Sequence, residues 1–186
     1  NLETGRMLGL PGKSGKYGTD EGDEPYGFPA AEIEAEWADD FAGSIGGDRG
    51  EGLAGIVPGS TYASKSWPAE RFIDLSSRIS AELGLRPVIM WGPGEEGLAL
   101  KIAESVPGAV AAPPAGIARA GALIARMRVL VGIDSGPKHI AVLLGVPTVT
   151  VFGPTDPRIW DPMNRLHRAL WMGLDLSLIH ISEPRD

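Results

Sequence analysis

Residues 134–139, Asp-Ser-Gly-Pro-Lys-His, place a carboxylate, a hydroxyl, an amine and an imidazole in one short run. The run lies between the apolar stretch ending at Ile133 and a helical pattern entered through Pro137. At such a strand-to-helix junction, backbone N–H groups and the Ser135 hydroxyl would point at one anion. Asp134 or Ser135 could equally cap the helix, and capping is compatible with binding. His139 sits within one turn of this candidate phosphate site, beside Lys138. A second run, Pro58 to Pro68, offers small residues, several hydroxyls and Lys65 immediately before a helix. It reads as a phosphate cradle or as a surface loop with a solvated lysine. The third, Trp91-Gly92-Pro93-Gly94-Glu95-Glu96, puts two carboxylates in the first turn of a helix. They would either compensate the helix dipole or accept hydrogen bonds from a ribose diol. Gly153 to Pro157 and Pro113 to Gly116 would complete a pocket wall or form ordinary turns.

These runs punctuate a regular alternation. Strands are expected at Leu53–Val57, Pro87–Trp91, Ala109–Ala111, Val129–Ile133 and Pro147–Phe152, with helices at Pro68–Leu83, Glu95–Ser105, Ile117–Met127 and Lys138–Leu144. Short continuous apolar strands separated by helices predict a doubly wound Rossmann-like α/β domain, its parallel sheet covered on both faces. The Pro68–Leu83 segment has proline at its start, Gly84 just past its end, and Phe72, Leu75, Ile79 and Leu83 on one inward stripe. If the strands are parallel, all the unusual loops fall at one edge of the sheet, the carboxyl edge where ligands bind in open α/β folds. Upstream, residues 1–30 read as loop or linker, and 31–42 as a short docking helix with Ile33, Trp37 and Phe41 along one stripe. Four glycines within residues 46–52 make a joint before the domain. The expected division is a linker with docking helix over 1–52, a ligand-binding domain over 53–175, and a tail over 176–186.

With 186 residues, 43% hydrophobic and 22% charged, the chain has the composition of an ordinary folded domain. The net charge of −7 is uneven, since residues 1–51 hold 12 of the 24 acids and 4 of the 17 bases. No clustered Lys/Arg surface suits a polyanion, so a nucleic-acid partner is not expected. With no cysteine and three scattered histidines, neither a disulfide framework nor a metal centre is expected. No apolar run approaches the roughly 18 residues that span a bilayer. A cytoplasmic location follows as the expectation, with peripheral contact at the inner face of the inner membrane allowed.

Taken together, Pro58-Gly59-Ser60, Lys65-Ser66-Trp67-Pro68, Trp91-Gly92-Pro93-Gly94-Glu95, Asp134-Ser135-Gly136-Pro137-Lys138-His139 and Phe152-Gly153-Pro154-Thr155 resemble glycosyltransferase family 9, the ADP-heptose:lipopolysaccharide heptosyltransferases. The resemblance covers about residues 53–160. It implies a GT-B fold of two Rossmann-like domains, this chain being the C-terminal half that holds the nucleotide-sugar donor. It implies that Ser60, Thr61 and Lys65 contact the donor diphosphate and Glu95 the ribose, with Glu96 able to exchange places with it. Ala115 and its neighbours would meet the adenine, Asp134 the heptose hydroxyls, and Ser135 and Gly136 the phosphate through their backbone, with His139 supporting the loop. Lys138 departs from the family pattern, which is often apolar there.

The implied reaction is an inverting, metal-independent transfer of heptose from ADP-heptose to a lipopolysaccharide core acceptor, needing no cofactor. The resemblance puts the catalytic base and the acceptor site in the other, N-terminal domain, so no catalytic residue is expected here and the chain should bind donor without turnover. Residues 176–186, Leu-Ser-Leu-Ile-His-Ile-Ser-Glu-Pro-Arg-Asp, read as a non-native tail translated from a sequencing adapter. Two other readings fit the loops: a GT-B-like UDP-sugar 2-epimerase, which would prefer uridine, and a non-catalytic α/β module whose loops are only well-capped turns.

Overall fold

A computed structural model describes residues 28–46, 52–59 and 66–171. Ser60, Thr61 and Lys65, the proposed diphosphate contacts, lie outside the described residues, as do 1–27, most of the glycine-rich joint and the 176–186 tail.

The described chain runs α1 (Pro29–Ile33), α2 (Ala35–Ser44), β1 (Leu53–Val57), α3 (Ala69–Leu83), β2 (Arg86–Ile89), α4 (Glu96–Ser105), β3 (Val110–Ala111), α5 (Ile117–Ile124), β4 (Met127–Ile133), α6 (Gly136–Leu143), β5 (Thr148–Phe152), α7 (Pro157–Trp160) and β6 (His167–Trp171). Its six strands form one sheet of order β3-β2-β1-β4-β5-β6, and every neighbouring pair is parallel. This is the doubly wound α/β architecture expected from the alternation. In this order the winding reverses between β1 and β4, and the crevice outside their carboxyl ends is where such sheets bind ligands.

β1 shows why the sheet is covered on both sides. Leu53 and Val57 join a core under α1, α2, α5 and α6, while Ala54 and Ile56 join another under α3 and α4. A strand buried at every residue carries no polar alternation, so it reads as a continuous apolar run. Close approach at the switch point requires glycine. Gly132 pairs with Val57, and a Cβ there would stand 2.5 Å from the Val57 carbonyl oxygen.

α3 follows its expected course, with Pro68 as N-cap and Gly84 closing it in the left-handed conformation at φ 63°. Its inward face differs from the expected stripe. Phe72, Ser76 and Ile79 are buried, Leu75 is half-buried, and Leu83 is 62% exposed beyond the sheet. The expected helix over 117–127 stops at Ile124, because Met127 pairs with Leu53 as the first residue of a longer β4.

The described residues before β1 pack onto the domain. Phe28 is 3% exposed and packs where a side chain at position 121 of α5 would otherwise lie. The single helix expected over 31–42 is two helices broken at Glu34. Alanines 31, 38 and 42 are buried and Trp37 and Phe41 pack half-buried against the same core, whereas Ile33 is 81% exposed. Small residues let α2 approach α5 closely, and Trp37 stacks on Phe41 at the margin, 6.0 Å between ring centroids. Two ion pairs fasten the arrangement: Arg126 donates to both carboxylate oxygens of Asp39, at 2.7 and 2.9 Å, and Arg119 donates to Glu34 at 3.1 Å. α7 and β6 extend past the last expected strand, and β6 pairs along its whole length with β5.

Candidate functional site

The parallel order sends the loops after β1, β2, β3, β4 and β5 to the same edge. Gly59, Glu95, Ala115, the 134–139 run and the Gly153–Asp156 turn all lie there, on loops or helix starts that follow strand ends.

The structure distinguishes the two glutamates. Glu95 is the N-cap of α4, but its carboxylate does not cap that helix. It folds back to accept the Gly92 N–H at 2.9 Å and lies against Gly59, where a Cβ would overlap it. Glycine at 59 therefore makes room for the Glu95 carboxylate, joining the loops after β1 and β2. Glu96, the next residue and about 100° further round the helix, is exposed. The loop after β3 is tied in by Trp91, whose indole N–H donates to the Ala112 carbonyl at 2.6 Å. Ala115 is exposed on that loop, just before α5 begins.

The loop after β4 faces the switch point. The Ser135 side chain does not cap α6. Ser135 holds the N-cap position, but its hydroxyl donates back to the Ile133 carbonyl at 3.1 Å. The hydroxyl is thus engaged with its own strand, and the donors left at the helix start are backbone N–H groups. Side-chain caps are likewise absent from α3, α4 and α5, whereas α7, the last helix among the described residues, is capped by Asp156 accepting from the Arg158 N–H. Uncapped helix starts converging on one edge leave N–H groups and positive dipole ends suited to an anion.

Asp134 keeps its side chain 7% exposed, with a carboxylate oxygen 3.8 Å from His139 Nε2. Burial, then the neighbouring Lys138 charge, lower the His139 pKa from 6.5 to about 4, so the imidazole is neutral at pH 7 and the pair is polar rather than ionic. A neutral ring cannot supply a cation for phosphate; it can hold the Asp134 loop in shape. The depressed value has a consequence for stability. As pH falls, the unfolded chain takes up this proton first, so the contribution is complete above about pH 6.5 and is lost on the way down to about 4. Urea unfolding at pH 4.5 should show about 2 kcal/mol less stability from this group than at pH 7. His139→Asn should remove that share while buried His167, also held low, keeps its own. An equal slope in wild type and variant would contradict the assignment.

Lys138 does not join the candidate anion site. Its side chain is 1% exposed and turned into the interior, with Nζ donating to the Trp160 carbonyl and standing 3.4 Å from Asp161 Oδ2. Nζ also lies 5.3 Å from the centre of the Phe152 ring. Burial pushes the ammonium below the ordinary lysine value, opposed by the charges of Asp161 and Asp134. Sequence reasoning missed this pair. The available signal was a lysine three residues before Ala141 on the buried stripe of α6, a position that calls for a buried partner.

Comparison with known proteins agrees with this geometry. The family model for glycosyltransferase family 9 (heptosyltransferase) matches residues 13–177. Lipopolysaccharide heptosyltransferase 1 of Escherichia coli K12 is 30% identical over 133 residues, which are 71% of this chain and 41% of that protein. The chain thus spans about two fifths of the length of the curated relative it matches. Among solved structures, a glycosyltransferase of family 9 from Veillonella parvula superposes with TM-score 0.68 at 28% identity, covering 75% of this chain and 40% of that one. The E. coli heptosyltransferase WaaC with ADP superposes with TM-score 0.61 at 28% identity, covering 72% and 42%. With the family matched across nearly the whole length and the edge loops where its fold requires them, the chain belongs to glycosyltransferase family 9, the heptosyltransferases.

Proposed function

We propose that this chain is the donor-binding, C-terminal half of a GT-B heptosyltransferase, working in the cytoplasm on a lipopolysaccharide core acceptor held by the other half. The observation that carries the reading is the start of α6. It lacks a side-chain cap, opens at the switch point between β1 and β4, and has the Asp134 carboxylate beside it. Such a start receives a diphosphate through N–H groups, and a carboxylate next to it accepts hydrogen bonds from sugar hydroxyls. The relative solved with ADP supports an adenine nucleotide as the ligand class.

In this reading Ser60, Thr61 and Lys65 hold the diphosphate, and Ser135 and Gly136 close on it through their backbone. Glu95 takes the ribose hydroxyls, the 113–116 loop with Ala115 borders the adenine, and His139 supports the Asp134 loop. Transfer is inverting: the acceptor hydroxyl attacks the anomeric carbon as the bond to the ADP oxygen breaks, ADP leaves with the electron pair, and the acceptor proton passes to a base in the other half. Charge gathering on the departing diphosphate is met by Lys65 and the helix N–H groups. Residues 1–52 connect the halves, and the donor half alone binds donor without turning it over.

Calorimetric titration with ADP and UDP tests the reading. Selective, saturable ADP binding is expected. Preference for UDP would favour epimerase chemistry, and a folded chain that binds neither nucleotide would remove the donor site.

A further inference from the structure

The geometry points to Lys138 and Asp161 as positioning residues for the donor site, a buried lock that sets the His139–Asp134 contact through Trp160. The inference rests on the donor-binding reading and adds a route by which a pair outside the ligand's reach controls it.

Lys138 is an expensive residue to bury, since an apolar side chain would fill the same space without desolvating a charge. Here the ammonium is spent on direction. It bonds to the Trp160 carbonyl, the last carbonyl of α7, and faces the Asp161 carboxylate at 3.4 Å. Asp161 lies at the centre of a tight turn. Its N–H donates to the Pro157 carbonyl at 2.8 Å, and its Oδ1 accepts the Met163 N–H at 2.8 Å. Met163 itself takes a left-handed φ of 51°, so the chain at this point has one conformation that the carboxylate holds closed. The other oxygen, Oδ2, is buried with no hydrogen bond of good geometry, leaving the Lys138 charge as its compensation. Removing that charge therefore loosens the turn and not only the pair.

The turn matters because of what Trp160 touches. Its ring meets the His139 ring edge to face, 6.3 Å between centroids, and His139 Nε2 stands 3.8 Å from Asp134. Trp160 remains 38% exposed, so it is held in place by the backbone on either side of it rather than by enclosure. Lys138 and His139 are adjacent on α6 and point to different neighbours: one grips the α7 backbone, the other is braced by the α7 indole and faces the sugar-binding carboxylate. The helix start and the 157–163 turn are thereby fixed to each other at two points. Freeing the lysine end lets the indole shift and leaves His139 without its brace.

The test uses the full chain with ADP-heptose as the probe and ADP as the sugar-free control. The double variant Lys138→Met with Asp161→Asn removes both charges together, with a side chain of similar length at 138 and an amide oxygen that still accepts the Met163 N–H. Expected results are a cooperative unfolding transition, ADP-heptose affinity at least about tenfold weaker with ADP affinity little changed, and movement of the His139 ring-proton resonance away from its Trp160-shifted position, assigned by comparison with His139→Asn. Trp160→Ala leaves the ion pair in place and should give the same two changes from an exposed position that the fold tolerates. Wild-type affinity, or an unmoved His139 resonance, in a folded variant overturns the proposal. Should the wild-type chain bind no ADP, the donor reading fails separately, and the resonance still decides whether the lock holds His139.

Discussion

Truncating Lys138 to alanine is expected to destabilise the fold by about 3–5 kcal/mol, the range for a buried ion pair that loses one partner. The Asp161 side chain is fully buried and its Oδ2 has no hydrogen bond, so without the ammonium the carboxylate would sit uncompensated in a low-dielectric site. The Trp160 carbonyl would lose its donor in the same step. Domains of this size are stable by only about 5–15 kcal/mol, so the variant should unfold at markedly lower urea. An exposed pair provides the control. Lys101 and Glu70 approach to 3.0 Å with more than half of each side chain in solvent, and Lys101→Ala should change stability by less than about 1 kcal/mol. Equal effects of the two substitutions would show that Lys138 is not buried as described.

The second large effect concerns the ligand. Asp134→Ala should weaken binding of an ADP-sugar by roughly 10- to 100-fold, since hydrogen bonds to a charged group contribute about 1.5–3 kcal/mol each. ADP alone, lacking the sugar, should lose little. The contrast matters because Asp134 also faces His139, and a general collapse of the loop would weaken both ligands together. Calorimetry of the two ligands on wild type and variant separates the cases. A parallel loss would assign Asp134 a scaffolding role only.

Which parts of this were readable in advance follows from physical causes. β1 and β4 are buried on both faces, so apolar runs announce them, and Gly84 marks the end of α3 because the left-handed turn there favours glycine. β6 was not legible. It is an edge strand, and His-Arg-Ala-Leu-Trp, with His167 buried against Thr148 and Arg168 and Leu170 exposed, has neither a continuous apolar run nor a clean alternation. The facing of the helices before β1 was legible only in part: Trp37 and Phe41 pack half-buried against the core as the stripe suggested, whereas Ile33 is exposed and the closest packing against α5 falls to alanines.

At the site, proximity along the chain was a good guide to which loops gather and a poor guide to where side chains point. Asp134 and His139 do meet, and Glu95 reaches the β1 loop through the space left by Gly59. Lys138 sits one residue from His139 yet turns into the interior, since successive helix positions are rotated by about 100°. Its partner Asp161 is 23 residues further on, across a strand and a short helix, and no local pattern connects the two.

The claim on which everything rests is that the carboxyl edge between β1 and β4 is the nucleotide site. Titration of isotopically labelled protein with ADP, followed by amide chemical shifts, tests it most directly. The account predicts that the largest saturable shifts fall on Gly59, Gly92, Ser135 and Gly136, with those at the opposite ends of the strands, such as Leu53 and Met127, little changed. Saturable shifts concentrated at that opposite edge, or on the 159–171 surface, would contradict it.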